Sequence, residues 1–106
     1  MEGRAVRSSV RDERIALVDQ LRDAQLAKLD ENAHKGHWGC ESPEWLLERV
    51  EEELGELNRK LERLYNNPRS FQIWRQVVRE CADVANFVAM IADVTKPAPP
   101  SRERGE

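Results

Sequence analysis

Between Glu80 and Val94 the chain reads Glu-Cys-Ala-Asp-Val-Ala-Asn-Phe-Val-Ala-Met-Ile-Ala-Asp-Val, without glycine or proline, and only Glu80, Asp83, Asn86 and Asp93 interrupt its apolar character. Wound as a helix, such a segment is apolar on nearly every side. A helix of that kind must be buried all round or lie in a membrane. Its 15 residues fall short of the roughly 20 that span a bilayer, so the segment belongs inside a protein core. An ionised carboxylate there is costly unless it is paired or binds a metal. Asp83 therefore demands a cation, and no basic residue on the segment itself can supply one.

Two further helices are predicted upstream. Ile15, Leu17, Val18, Leu21, Ala24, Leu26 and Leu29 mark an amphipathic helix from Val10 to about Asn32; residues 1–9 lack that periodicity and are expected to be flexible. Ser42-Pro43-Glu44 then provides an N-cap, a proline at the first helical position and an acid in the first turn. From there Leu47, Val50, Leu54, Leu57, Leu61 and Leu64 recur at spacings of three and four, the seam of a helix packed lengthwise on others. Glu53 borders this seam, while Glu52 and Glu56 lie further round the same flank. Gly55, in mid-helix, leaves room for a neighbouring helix or a ligand to come close. Asn67 and Pro68 are read as the cap and first residue of the last helix.

That last helix has its main stripe at Phe71, Trp74, Val77, Val78, Cys81, Val84, Ala85, Val88, Ile91 and Ala92, with Asp83 and Asn86 nearly opposite. Ala82, Phe87, Ala89 and Met90 make the opposite side apolar as well. Two apolar faces need two layers of partners, of which a three-helix chain can supply one, so a homodimer or homotetramer is expected. The fold class is all-α, with three main helices per chain assembling into helical bundles through homo-oligomerisation. One domain spans 10–95, and the proline-rich stretch 96–106 is expected to be a disordered tail.

Of the 106 residues 35% are charged, with both signs interspersed and a net charge of −3. This balance argues against nucleic acid as the partner, and Arg4, Arg7, Arg11 and Arg14 read as a solvated helix start. No secretory signal or membrane span is legible, which points to the cytoplasm and away from membranes. Cys40 and Cys81 are too few for a disulfide scaffold, so free thiols are expected.

The chemistry concentrates in Glu51-Glu52-Glu53-Leu54-Gly55-Glu56 and in Glu80-x-x-Asp83. Acidic pairs at i,i+3 on facing helices repel strongly when desolvated, and a Mg²⁺ ion, or Mn²⁺ in its place, held by a few carboxylates and waters would neutralise them. Between the first two helices the nine residues Ala33–Glu41 include two histidines, two glycines and Trp38, a loop long for a mere connection and suited to binding. His34, His37 and Cys40 could contribute to a zinc site, although a structural zinc needs four ligands. A helical interaction or assembly module would need only the leucine seam, but would avoid an acidic pair on its apolar helix.

With Glu-Glu-x-x-Glu from Glu52 to Glu56 and Glu-x-x-Asp from Glu80 to Asp83, 24 positions after Glu56, the chain resembles the MazG-like all-α nucleoside triphosphate pyrophosphohydrolases over about residues 26–94. Glu-Glu-Leu-Gly-Glu-Leu and Glu-x-x-Asp-Val-x-Asn-Phe sharpen the likeness. The resemblance implies that Glu53, Glu56, Glu80 and Asp83 bind Mg²⁺ and that Glu52 or Glu53 activates water. It also implies that Lys35, Trp38 and Asn86 meet the substrate, Lys35-Gly36-x-Trp38 being similar to an element of small members of the family. The reaction implied converts a nucleoside triphosphate to the monophosphate and pyrophosphate. Phosphoribosyl-ATP is the substrate of a related branch.

Overall fold

The computed structural model describes residues 2–98, with side chains from Ser9 onward. Three helices, α1 (Glu2–Glu31), α2 (Pro43–Asn66) and α3 (Phe71–Val94), account for the architecture, and two short 3₁₀ turns, Ala33–Lys35 and Trp38–Cys40, lie between α1 and α2. The chain is all-α. No helix among the described residues is long and apolar enough to cross a membrane, and both cysteines are free.

α1 reaches back to Glu2 instead of starting at Val10. Missing apolar periodicity predicts that a segment packs on nothing, but it does not stop a helix: Glu2, Arg4, Ala5 and Arg7 have good helix propensity and no proline interrupts them. Met1 and positions 99–106, most of the expected tail, lie outside the described residues. α2 begins as read: the Ser42 hydroxyl accepts the Trp45 amide N–H at 3.1 Å, and Pro43 stands in the first turn. The start of α3 differs. Asn67 caps the end of α2, and the N-cap of α3 is Ser70, whose hydroxyl accepts the Ile73 amide N–H at 3.1 Å. Ser70→Ala is expected to cost about 1 kcal/mol, the usual worth of an N-cap hydroxyl, measurable by chemical denaturation.

Both α1 and α2 pack on α3 and make no packing contact with each other. Along α1, Gln25, Lys28 and Glu31 meet Asn86, Asp83 and Arg79 in that order, so α1 runs antiparallel to α3. Along α2, Lys60 and Arg63 meet Glu80 and Gln76, which makes α2 antiparallel to α3 too and parallel to α1. Joining two parallel helices requires the chain to return along the bundle. From the level of Arg79 to that of Asp93, where Trp38 is fixed, is about 20 Å at 1.5 Å per residue. An extended strand covers about 3.3 Å per residue, so the length of the loop is spent on the crossover.

The core is small. Leu46 (0% exposed), Val50 and Ala82 are its buried apolar residues, and Asn86 its one buried polar residue among those described. Leu46 takes the place expected for Leu47, which is 52% exposed. The packed face of α2 thus runs through Leu46, Val50, Leu57, Leu61 and Leu64, a rotation that draws Glu53 from the border of the seam into it. On α3 the buried residues Ala82 and Asn86 share the side that bears Asp83. Along the apolar stripe Val77, Val78, Cys81, Val84, Ala85 and Ile91 are half-buried, while Phe71 (62%) and Val88 (51%) are exposed. The radius of gyration is 18.3 Å, against about 13 Å for a compact domain of this length.

Candidate metal centre

Rotation of α2 brings Glu53 opposite Glu80 and Asp83, one turn apart on α3, and the three carboxyl groups offer oxygens all within 4.8 Å of one another. Each is partly buried. Burial, then a hydrogen bond with Glu80 and the repulsion of Glu80, Asp83 and Glu56, pushes the Glu53 carboxyl up to about 7. Burial likewise raises the Asp83 carboxyl, against the opposing pull of Lys28. One oxygen of Glu80 (Oε2) is buried with no hydrogen-bond partner. An orphaned carboxylate oxygen next to two further carboxyls matches the oxygen donor set that Mg²⁺ or Mn²⁺ takes. The three residues therefore fit such an ion.

Charge balance within the chain comes from two lysines on the flanking helices. Lys28 on α1 lies with its Nζ 3.3 Å from Asp83 Oδ2, and Lys60 on α2 reaches Glu80 Oε1 at 4.0 Å. The expected cation for Asp83, a metal shared with the upstream glutamates, leaves out Lys28. The signal was present: at 100° per residue Lys28 falls about 20° from Leu21, between Ala24 and Gln25, on the packed face of α1, where a solvated lysine has no place.

Other expected site residues stand apart from this triad. Glu52 and Glu56 point away from α3, the first paired with Arg49 at 2.7 Å and the second with Arg59. Together with Glu51, Glu53, Gly55 and Arg59 they line an open hollow on α2. A Cβ at Gly55 would meet nothing within 4 Å, so no helix of the same chain needs glycine there. Asn86, one turn beyond Asp83, is committed to α1: its Oδ1 accepts from Gln25 Nε2 and its Nδ2 donates to the Gln25 carbonyl, each at 3.1 Å. Trp38 donates its indole N–H to Asp93 Oδ2 at 2.9 Å and stacks on His37. Ten residues separate Asp93 from Asp83, about 15 Å along the helix. Lys35 is exposed at the end of the first 3₁₀ turn. The loop's His34, His37 and Cys40 do not gather as metal ligands, for among the described residues only the acidic triad does so. His37 Nδ1 is occupied by the Gly39 amide.

No family model, curated protein or solved structure matches this chain.

Proposed function

We propose that the chain is a Mg²⁺-dependent nucleoside triphosphate pyrophosphohydrolase acting as a homo-oligomer. What carries this reading is the convergence of Glu53, Glu80 and Asp83 from two helices to within 4.8 Å, in a setting where simple salt-bridge formation leaves Glu80 Oε2 unpartnered. The acidic motifs that resemble the MazG-like enzymes meet at this same point. Glu80 and Asp83 would hold the ion with Glu53. A bound Mg²⁺ would polarise phosphate oxygens and lower the pKa of a coordinated water. Glu53, facing Glu80 and Asp83 across the site, is the carboxylate placed to take a proton from water. Lys28 and Lys60, beside Asp83 and Glu80, supply positive charge that a triphosphate needs. Water attacks the α-phosphorus, the bond to the bridging oxygen breaks, and pyrophosphate leaves a nucleoside monophosphate.

Self-association is favoured by the exposed apolar residues of α2 and α3. Phe71, Trp74 and Val88 on α3, and Leu47 and Leu54 on α2, are all exposed, more apolar surface than three helices of a monomer leave open without use. A homodimer or homotetramer would cover it. Light scattering at micromolar concentration is expected to give a mass at least twice the 12.3 kDa of one chain; a monomer at that concentration would remove this part of the reading. The same surface would serve a purely structural helical module, and enzymatic assay separates the two.

The deciding experiment is a pyrophosphate-release screen over ribo- and deoxyribonucleoside triphosphates, with phosphoribosyl-ATP included, in Mg²⁺ and in Mn²⁺. Monophosphate and pyrophosphate in equal amounts are expected from at least one substrate. Orthophosphate as the product would contradict the bond cleavage proposed, and no turnover of any substrate would leave the assembly module as the better reading.

A further inference from the structure

Among the described residues Lys28 is the one cation that α1 brings to the acidic triad, and the way it is held bears on how a metal would enter. Its side chain and that of Asp83 are only 19% and 17% exposed, with Nζ and Oδ2 3.3 Å apart. Both stems are packed along the α1–α3 interface, yet the contact is a single ion pair between a flexible four-carbon chain and one carboxylate oxygen. On either side α1 is fastened to α3 by other groups, Gln25 to Asn86 and Glu31 to Arg79. The helix thus stays docked whether or not Lys28 keeps its partner. The ammonium and a divalent ion compete for the same carboxylate, since a metal on Asp83 cannot share that oxygen with a neighbouring positive charge without repulsion.

Taking the metal centre proposed above as its basis, we infer that Lys28 is an exchangeable counter-cation: it neutralises Asp83 in the metal-free protein and gives up that carboxylate when a divalent ion binds. The exchange also selects for charge. A monovalent ion replacing the ammonium would substitute one positive charge for another with no electrostatic gain, whereas a divalent ion adds charge to a cluster of three carboxyl groups. Lys28 is a positioning residue in this scheme, and it sets metal affinity without ligating the metal.

Two measurements on the full chain test this, with Mn²⁺ as the probe. In the first, Mn²⁺ is titrated into wild type, Lys28→Met and Lys28→Arg at matched pH and ionic strength, with free Mn²⁺ read by electron paramagnetic resonance. Removal of the competitor is expected to tighten Mn²⁺ binding roughly fivefold in Lys28→Met, while the charge-conserving arginine stays near wild type. In the second, wild type is treated briefly with an amine-acetylating reagent, and modification of Lys28 is followed by mass spectrometry with and without saturating Mn²⁺. Lys28 is expected to react several times faster with Mn²⁺ present, because the freed ammonium loses its ion-pair partner. Equal Mn²⁺ affinity in wild type and Lys28→Met, or a Lys28 acetylation rate that Mn²⁺ leaves unchanged, would overturn the inference. The acetylation measurement decides alone if Lys28→Met does not fold. Absence of Mn²⁺ binding by wild type would overturn the exchange and the metal centre together. Mn²⁺ exchange without hydrolysis of any triphosphate would uphold the exchange and reject the proposed reaction.

Discussion

Glu53→Gln, Glu80→Gln and Asp83→Asn are each expected to lower the rate of pyrophosphate release by about two orders of magnitude, the usual effect of deleting one pre-positioned electrostatic group. The substitutions keep side-chain size, so the fold survives while a ligand oxygen or the proposed base is lost. A second readout separates loss of function from loss of structure. The three carboxyl groups repel one another in a partly buried site, so removing the charge at Glu53 relieves repulsion in the metal-free protein. Glu53→Gln is therefore expected to raise the melting temperature at alkaline pH even as activity falls, a trade between stability and function that functional sites often show. Glu56→Gln separates geometry from resemblance. The exposed Glu56 carboxyl, pulled below the usual carboxylate range by the Arg59 guanidinium, is expected to cost far less than the triad when neutralised. A loss as large as that of Asp83→Asn would mean that Glu56 swings inward in the working enzyme. Initial rates for all four variants at saturating Mg²⁺, with circular dichroism melts of the same samples, check these outcomes.

How much of this could be read in the sequence varies with the physical cause. Helix existence was legible because 3.6-residue periodicity and the Ser42-Pro43 start are local properties. The rotation of α2 was not. Leu46 and Leu47 are both leucines, and which one faces α3 depends on how the ridges of two helices fit. The rotation decides whether Glu53 lies at the edge of the contact or within it. The acidic triad was half legible: Glu53, Glu80 and Asp83 come together as the two i,i+3 pairs suggest, but Glu56, on the same helix, turns to solvent and Arg59. Lys28 is hard to read as the partner of Asp83 because it comes from a helix distant in sequence. Length and aromatic content alone suggest that the loop carrying Trp38 is a binding segment. Its geometry supplies another account: two parallel helices must be joined, and the Trp38–Asp93 hydrogen bond pins the crossover.

Stability of the metal-free protein is expected to fall as the pH rises from about 5 to about 8, and Mg²⁺ is expected to reverse most of the loss. In the unfolded chain a glutamate carboxyl releases its proton near 4.3; in the folded protein Glu53 keeps its proton up to about 7. Between those values the folded state binds more protons than the unfolded state, so each step up in pH favours unfolding. Below the lower value both states are protonated and no stability is lost; above the upper value the loss is complete. Asp83, also raised by burial, acts in the same direction. A shift of this size corresponds to roughly 4 kcal/mol at about 1.4 kcal/mol per pH unit, and solvent screening at a half-buried site reduces this to about 1–2 kcal/mol. That is on the order of 5–10 °C in melting temperature for a domain of this length. Mg²⁺ at about a hundred times its dissociation constant returns about 2.7 kcal/mol. Because its ligands must be deprotonated, it does so more fully at the higher pH. Melting curves in EDTA and in Mg²⁺ should therefore separate progressively between about pH 5 and about pH 8, and Glu53→Gln should flatten the EDTA profile. A flat EDTA profile in wild type would contradict the close approach of Glu53 to Glu80 and Asp83. Coincident EDTA and Mg²⁺ curves at the upper pH would contradict metal binding while leaving that approach intact.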